Sequence, residues 1–297
     1  MTVALPLLAL TAFMTPLDHQ TMVQSFAVLF WGLAIYPILI PTLPFLFYRR
    51  YSKDEQSVLG ILTSFGSTTF FGLPIAGAIY GSRGIMYASV FNIGYRVFLY
   101  SYAYIKMSGE KMRGEHIKKM FVNPIVLATL IGLVLWLLQN NVPTIHVPSQ
   151  SVAFYRIDVT WPWLFNWFKL LAGLASPLAW LAIGANLAQM PLSAALKNKT
   201  AWYYSTNKII LVPIIMIALL AAGSATHLLT IDHVAFATMV IMMATPVATV
   251  AVNYAIAFNH QSLLASNASL ISTIFATLAL PFWIITVQLL ANWSIFR

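Results

Sequence analysis

Nine runs of predominantly apolar residues follow one another along the chain, at about 2–16, 26–48, 57–80, 84–106, 122–140, 161–188, 202–223, 234–258 and 266–293. A helix needs about 20 such residues to cross the hydrocarbon core of a bilayer. In lipid each unpaired backbone group costs several kcal/mol, so segments of this kind fold as helices, whose hydrogen bonds close within the segment. The pattern predicts an all-α polytopic membrane protein of about nine spans. Composition agrees: 60% of the 297 residues are hydrophobic and 8% are charged, with a mean hydropathy of +0.81, whereas a soluble domain carries about a quarter charged residues. The lipid bilayer is therefore an expected partner, and a multi-pass position in a bacterial plasma membrane is the expected location. The first run, Val3–Phe13, has no basic residue ahead of it, so no cleaved signal peptide is expected.

A net charge of +9 on a soluble domain would suggest nucleic acid. Here the basic residues lie in short loops between apolar runs, and no nucleic-acid partner is expected. Arg49, Arg50 and Lys53 share one loop; Lys106, Lys111, Arg113, Lys118 and Lys119 share a second; Lys197 and Lys199 share a third. These loops alternate along the chain and hold ten of the sixteen Lys and Arg residues, while the opposite loops and the C-terminus hold only Arg83, Arg156 and Arg297. The positive-inside rule then places 49–56, 106–120 and 191–200 in the cytoplasm, with the N-terminus inside and the C-terminus outside. There is no cysteine, and the six histidines (19, 116, 146, 227, 233 and 260) form no ligand spacing, so neither a metal nor another cofactor is expected.

The hydrophilic stretch 106–120 divides the chain in two. Across it, Pro6 and Pro177 are 171 residues apart, Pro41 and Pro213 are 172 apart, and Pro74 and Pro246 are 172 apart. The flanks agree, since ALPLLAL resembles ASPLAWLA. This suggests two repeats of about 170 residues. Five spans separate each position from its partner, and an odd number inverts one repeat relative to the other, as in secondary transporters. The run at 122–140 has no counterpart ahead of residue 1, which raises the expectation of a further opening helix encoded upstream.

Pro74 and Pro246 fall inside apolar runs, where proline removes a donor and clashes with the carbonyl one turn back. Small polar residues accompany each: Ser67, Thr68 and Thr69 with the first, Thr245, Thr249 and Asn253 with the second. The bland reading is a pair of kinks whose hydroxyls bond back to the helix. The sharper one is two broken helices whose half-helix N-termini meet at mid-membrane, a setting that suits an anion. Arg96 falls near the centre of its run, with Asn92 one turn earlier. Lys208 lies nearer the cytoplasmic end of its run and is expected to snorkel there, as Lys169 is at the outer interface. No Asp or Glu lies within a run, so Arg96 is expected to hold either freed backbone carbonyls or a bound anion.

Several stretches together resemble the auxin efflux carrier family, which includes bacterial malate and malonate permeases. NPIVLATLIGLVLWLL (123–138) resembles its Asn-Pro span. SPLAWLAIGANLA (176–188) resembles its Pro-Leu-Ala…Gly-x-x-Leu-Ala span. GSTTFFGLPIAGAIYGSRGIMYASVFNIG (66–94) is similar to its Gly-Asn-Thr-Gly-Phe-x-Gly-Leu-Pro segment, and TPVATVAVNYAIAF matches its second crossover more loosely. The resemblance implies ten helices in two inverted five-helix repeats, the first helix missing here, with Pro74 and Pro246 marking the crossover. It also implies scaffold helices at 1–25 and 122–190, a transport domain at 26–106 and 201–293, and a cytoplasmic inter-repeat loop at 107–121. The family's Asn near the first crossover is Ser67 here, followed by Thr68, and its acidic-Asn-Asn pattern reads Asn92, Tyr95, Arg96. These departures weigh against cation coupling and favour a site more positive than usual.

The combined expectation is a permease of small organic anions, mono- or dicarboxylates such as malate or malonate, working by an elevator-like motion. Its candidate substrate site is Ser67, Thr68, Thr69, Pro74, Asn92, Arg96, Thr245, Pro246, Thr249 and Asn253. A homodimer is left open. The rivals are a sodium-coupled organic anion symporter of a related fold and a non-transporting membrane scaffold or sensor. A membrane-embedded enzyme would want His, Asp or Glu at membrane depth, and the runs supply none; no enzymatic activity is expected.

Overall fold

The computed structural model describes residues 3–109, 114, 122–147, 150–188, 192–226 and 230–290. Apart from 107–109 and 114, the expected inter-repeat loop at 107–121 lies outside the described residues, as does the C-terminal Arg297. The fold is a bundle of helices. In the first half these are α1 (Ala4–Ala12), α2 (His19–Phe47), α3 (Lys53–Ser64), α4 (Leu73–Phe98) and α5 (Tyr104–Ser108). Then come α6 (Pro124–Leu137), a small antiparallel hairpin of β1 (Thr144–Val147) and β2 (Gln150–Ala153), α7 (Ile157–Thr160), α8 (Pro162–Gly173), α9 (Ala175–Ala188) and α10 (Leu192–Lys197). The last are α11 (Lys199–Thr206), α12 (Val212–Ala225), α13 (His233–Met243), α14 (Thr249–Ala257) and α15 (Ser262–Leu290). Three π-helical segments, Thr68–Gly72, Leu99–Ala103 and Asn207–Leu211, join helices to their neighbours.

Three described helices are long and apolar enough to cross a membrane: α2, the continuous Lys199–Ala225, and α15. Two of the other apolar runs are interrupted. The run at 57–80 breaks after Ser64, where Phe65 is extended (φ −105°, ψ 117°), and resumes as helix at Thr68. The run at 234–258 breaks after Met243 and resumes at Thr249. The run expected at 161–188 is divided between α8 and α9. The hairpin was not expected from sequence.

Five helix starts carry side-chain caps, which satisfy N–H groups that have no intrahelical acceptor. Asp18 accepts from the Thr21 N–H, Ser52 from Glu55, Asn123 from Ile125, Asn198 from Ala201 and Asp232 from Ala235. These caps reveal a spacing. Asp18 and Asn198 are 180 residues apart, and so are Ser52 and Asp232. Gly81 (φ 59°) and Gln261 (φ 50°), both left-handed, are also 180 apart. These markers are spaced at 180, whereas the prolines paired from sequence are spaced at 171–172. The eight- or nine-residue difference amounts to more than two helical turns.

The core runs along α2, α4 and α13. Tyr36 of α2 stacks on Phe65 at the first break, with ring centroids 5.1 Å apart and planes within 7°. The α2 and α4 backbones meet at paired glycines: a Cβ on Gly94 would lie 2.0 Å from the Gly32 carbonyl oxygen. Small residues are how membrane helices approach this closely. α1 packs chiefly on α6 and α8 and also touches α4, and Ala12 and Phe13 join the main core. α2 is one unbroken helix from His19, so the boundary expected at 25/26 falls inside it.

The loops sort to two ends. At one, the Gln24 side chain donates to the Thr230 carbonyl (3.0 Å) and accepts from the Asp232 N–H (2.9 Å), and the Tyr87 hydroxyl donates to Asp232 (3.3 Å). At the other, Asp54 accepts from the Gln261 amide and pairs with His260, each at 2.9 Å, and these bonds hold its carboxyl below the ordinary aspartate value. Tyr203 donates to the Phe47 carbonyl (3.1 Å) at this same end.

Candidate functional site

The two breaks lie against each other. Gly66 and Val247 form an isolated antiparallel bridge, in which the Ser67 N–H donates to the Pro246 carbonyl (2.7 Å) and the Ala248 N–H to the Phe65 carbonyl (3.0 Å). Adding 181 to Phe65 and Ser67 gives Pro246 and Ala248, so the shift carries each hydrogen bond onto the other, as a local two-fold axis requires. Broken helices in a membrane must find partners for the backbone groups they free, and here each break supplies the other. The Ser272 hydroxyl takes the Val247 N–H (3.3 Å).

Four helix ends therefore converge on one point: the C-termini of α3 and α13, and the starts at Thr68 and Thr249. Neither start at the crossing has a side-chain cap, the residues preceding them being Ser67 and Ala248. Their first N–H groups and the positive ends of their dipoles are left facing the crossing.

Thr68 is fully buried and donates to the Asn92 side-chain oxygen at 2.6 Å. The Asn92 NH2 group is buried and has no partner among the described residues. Arg96, one turn on, is 5% exposed. Among the described residues its one hydrogen bond goes to the Thr69 hydroxyl, at a long 3.5 Å. It also interacts with the phenols of Tyr100 and Tyr95. The described ion pairs are Arg156–Asp158 and His260–Asp54, so no described carboxylate faces Arg96. Ser67, Thr68, Thr69, Asn92, Arg96, Thr245 and Pro246 thus come together around the crossing.

Three expected residues do not join them. Pro74 lies seven residues beyond Ser67, inside the helix that has already resumed at Thr68, because the π segment Thr68–Gly72 runs directly into α4. The break is made at Phe65–Ser67, and Pro74 does not mark the crossover. Pro246 does, since its carbonyl is one of the bridge acceptors. The side chains of Thr249 and Asn253, one turn apart on α14, are exposed and make no hydrogen bond to the crossing among the described residues.

Two residues were missed. Gly66 is one: a Cβ there would lie 2.3 Å from the Thr245 hydroxyl, so only glycine lets the two breaks approach. The other is Lys208, expected to snorkel but fully buried, its Nζ 3.1 Å from that same point on Gly66. The π segment that carries Lys208 inserts an extra residue and turns the side chain inward, which distance from the helix end could not reveal. Lys169, by contrast, is exposed as expected, its ammonium 5.8 Å over the Phe165 ring. A cavity of about 410 Å³ between α2 and α3 is lined by Lys53, Gln56, Ser57, Lys106 and Tyr102 and runs down to Ser64, next to the first break.

Over residues 1–284 the sequence matches the family described as membrane transport protein. The chain belongs to that family, the auxin efflux carrier family. A comparison with curated proteins finds no match. This membrane transport protein therefore carries, at the crossing of two broken helices, a buried cation without a protein counter-charge among the described residues.

Proposed function

We propose that this chain is a secondary transporter of small organic anions, mono- or dicarboxylates such as malate or malonate. The observation that carries this reading is Arg96: a buried guanidinium with five N–H donors, one long hydrogen bond and no described carboxylate opposite. A charge at this depth is costly and is kept where a ligand or pathway uses it. The uncapped helix starts at Thr68 and Thr249 add backbone donors of the same preference, and a carboxylate lying between them is held by electrostatics from both sides.

On this reading the chain consists of two inverted repeats offset by 180, with the bridge 65–67/246–248 on the axis between them. The segments 19–108 and 199–290 form the transport domain, the helices 4–12 and 124–188 the scaffold, and alternating access comes from the first sliding against the second. The packing of α1 on α6 and α8 supports that division. The end that carries Lys53 and Lys106 is cytoplasmic, by the positive-inside rule, in a bacterial plasma membrane, and the C-terminus is outside. Uptake by proteoliposomes from a panel of labelled mono- and dicarboxylates, with and without a proton gradient, tests the reading. Uptake of at least one carboxylate above protein-free liposomes is expected; none would overturn it.

A further inference from the structure

Lys208 is the one lysine among the described residues that is fully buried. Buried lysines in membrane helices ordinarily reach a carboxylate or snorkel to the interface. This one does neither: its ammonium points at Gly66 in the first break, and Nζ has no hydrogen-bond partner among the described residues. The nearby Thr245 hydroxyl donates instead to the Met242 carbonyl at 2.8 Å. Three N–H donors thus stand without an acceptor in a water-poor interior, an arrangement that costs several kcal/mol if nothing completes it.

Asn92 repeats the pattern from the other side of the same strand. Its side-chain oxygen is taken by Thr68, and its NH2 group is buried and free of partners among the described residues. Gly66, beside Lys208, and Thr68, beside Asn92, are two residues apart, a distance of at most about 7 Å along the chain. Two sets of unused donors therefore border one short stretch of broken helix, and no acid among the described residues is there to take them. An acceptor from outside the chain, with more than one oxygen, fits both.

We propose that Lys208 is an anion-binding residue of the crossing, its ammonium held without a protein partner so that an oxygen of the transported carboxylate completes it. The proposal rests on the carboxylate-transport reading and adds to it a contact from the second half of the chain, facing those of Asn92 and Arg96 from the first. The uncompensated ammonium is then a stability cost retained for function.

The test is Lys208→Met, which keeps an unbranched side chain one atom shorter and removes the charge, in the full chain purified in detergent. Melting and affinity are measured with malonate, malate and acetate as probes. A buried charge without a partner destabilises, so the ligand-free variant is expected to melt higher than wild type. Its affinity for the carboxylate that wild type binds best is expected to fall at least about tenfold. Lys208→Arg, which retains the charge, is expected to keep part of the binding. Should Lys208→Met bind as wild type does, the proposal is overturned. Where the methionine variant does not fold, Lys208→Gln takes its place, and wild-type binding in that variant overturns the proposal in the same way. Lost binding together with a lower ligand-free melting temperature would make Lys208 a part of the fold and equally overturn it. A wild-type chain that responds to none of the probes overturns the carboxylate reading itself, an outcome distinct from the others.

Discussion

Arg96 and Lys208 show how differently two buried cations announce themselves. Arg96 was legible because it stands near the middle of an apolar run, where no rotamer reaches water. Lys208 was not, because nearness to the end of a run says nothing about which side of the helix a residue occupies, and the π segment at 207–211 alters that side. An arginine at the bilayer centre costs at least about 2.5–3.5 kcal/mol on insertion scales, and its long bond to Thr69 offsets little of it. A guanidinium grips a carboxylate through two parallel hydrogen bonds, whereas an ammonium acts as a point charge. Arg96→Lys is therefore expected to weaken substrate binding by about 1–2 kcal/mol and Arg96→Gln by more, read as affinity in detergent beside the melting temperature. If Arg96→Gln binds as wild type and only melts earlier, Arg96 serves the fold. Gly66 was passed over for another reason: its importance lies in a contact with Thr245, 179 residues away, which no local pattern encodes.

Among the elements, the two breaks were expected and their positions were only half right. Proline is the loudest helix-breaking signal in a sequence, and Pro246 does sit in its break. In the first half the signal misled, since the chain leaves the helix at Phe65–Ser67 and restarts it at Thr68, ahead of Pro74. Different outcomes follow for the two alanine variants. Pro246→Ala supplies an N–H and lets α13 continue past Ala244, withdrawing the carbonyl that Ser67 uses, so transport is expected to fall severalfold at similar expression. Pro74→Ala leaves both bridge hydrogen bonds in place and is expected to transport within about twofold of wild type, because Pro74 lies beyond the break, in the helix that restarts at Thr68. Equal loss in both would return the crossover to Pro74. Helix contact is tested at Gly94, where a Cβ would meet the Gly32 backbone at 2.0 Å and cannot be relieved by a rotamer change. Gly94→Ala is expected to cost about 1–3 kcal/mol, seen as a lower melting temperature in detergent with carboxylate affinity intact once folded.

For the whole molecule, hydropathy and run length sufficed to foresee a helical membrane protein, because the bilayer permits so few alternatives. The spacing of its halves was harder. Prolines at 171–172 were conspicuous, yet caps, left-handed turns and the crossing recur at 180–181, and those markers are ordinary residues such as Asp18, Asn198, Ser52 and Asp232 whose role appears only with their hydrogen bonds. The distribution of charge remains the best guide to orientation. Residues 47–56, 203 and 258–261 gather at one end, and 24, 87 and 230–232 at the other, so a single pair of labels suffices to orient the chain. The absence of cysteine makes Lys53→Cys and Arg83→Cys clean reporters, and both positions are exposed. Lysine and arginine are retained on the cytoplasmic side during insertion, and the rule counts residues in short loops near span ends, which describes Arg49, Arg50 and Lys53. Arg83 stands beside the kink at Gly81 in α4, without another basic residue near it in sequence. In intact cells a membrane-impermeant maleimide is expected to label Arg83→Cys and to spare Lys53→Cys until the membrane is opened. Labelling of Lys53→Cys in sealed cells would invert the orientation, and with it the side from which the cavity lined by Lys53 and Lys106 admits an anion.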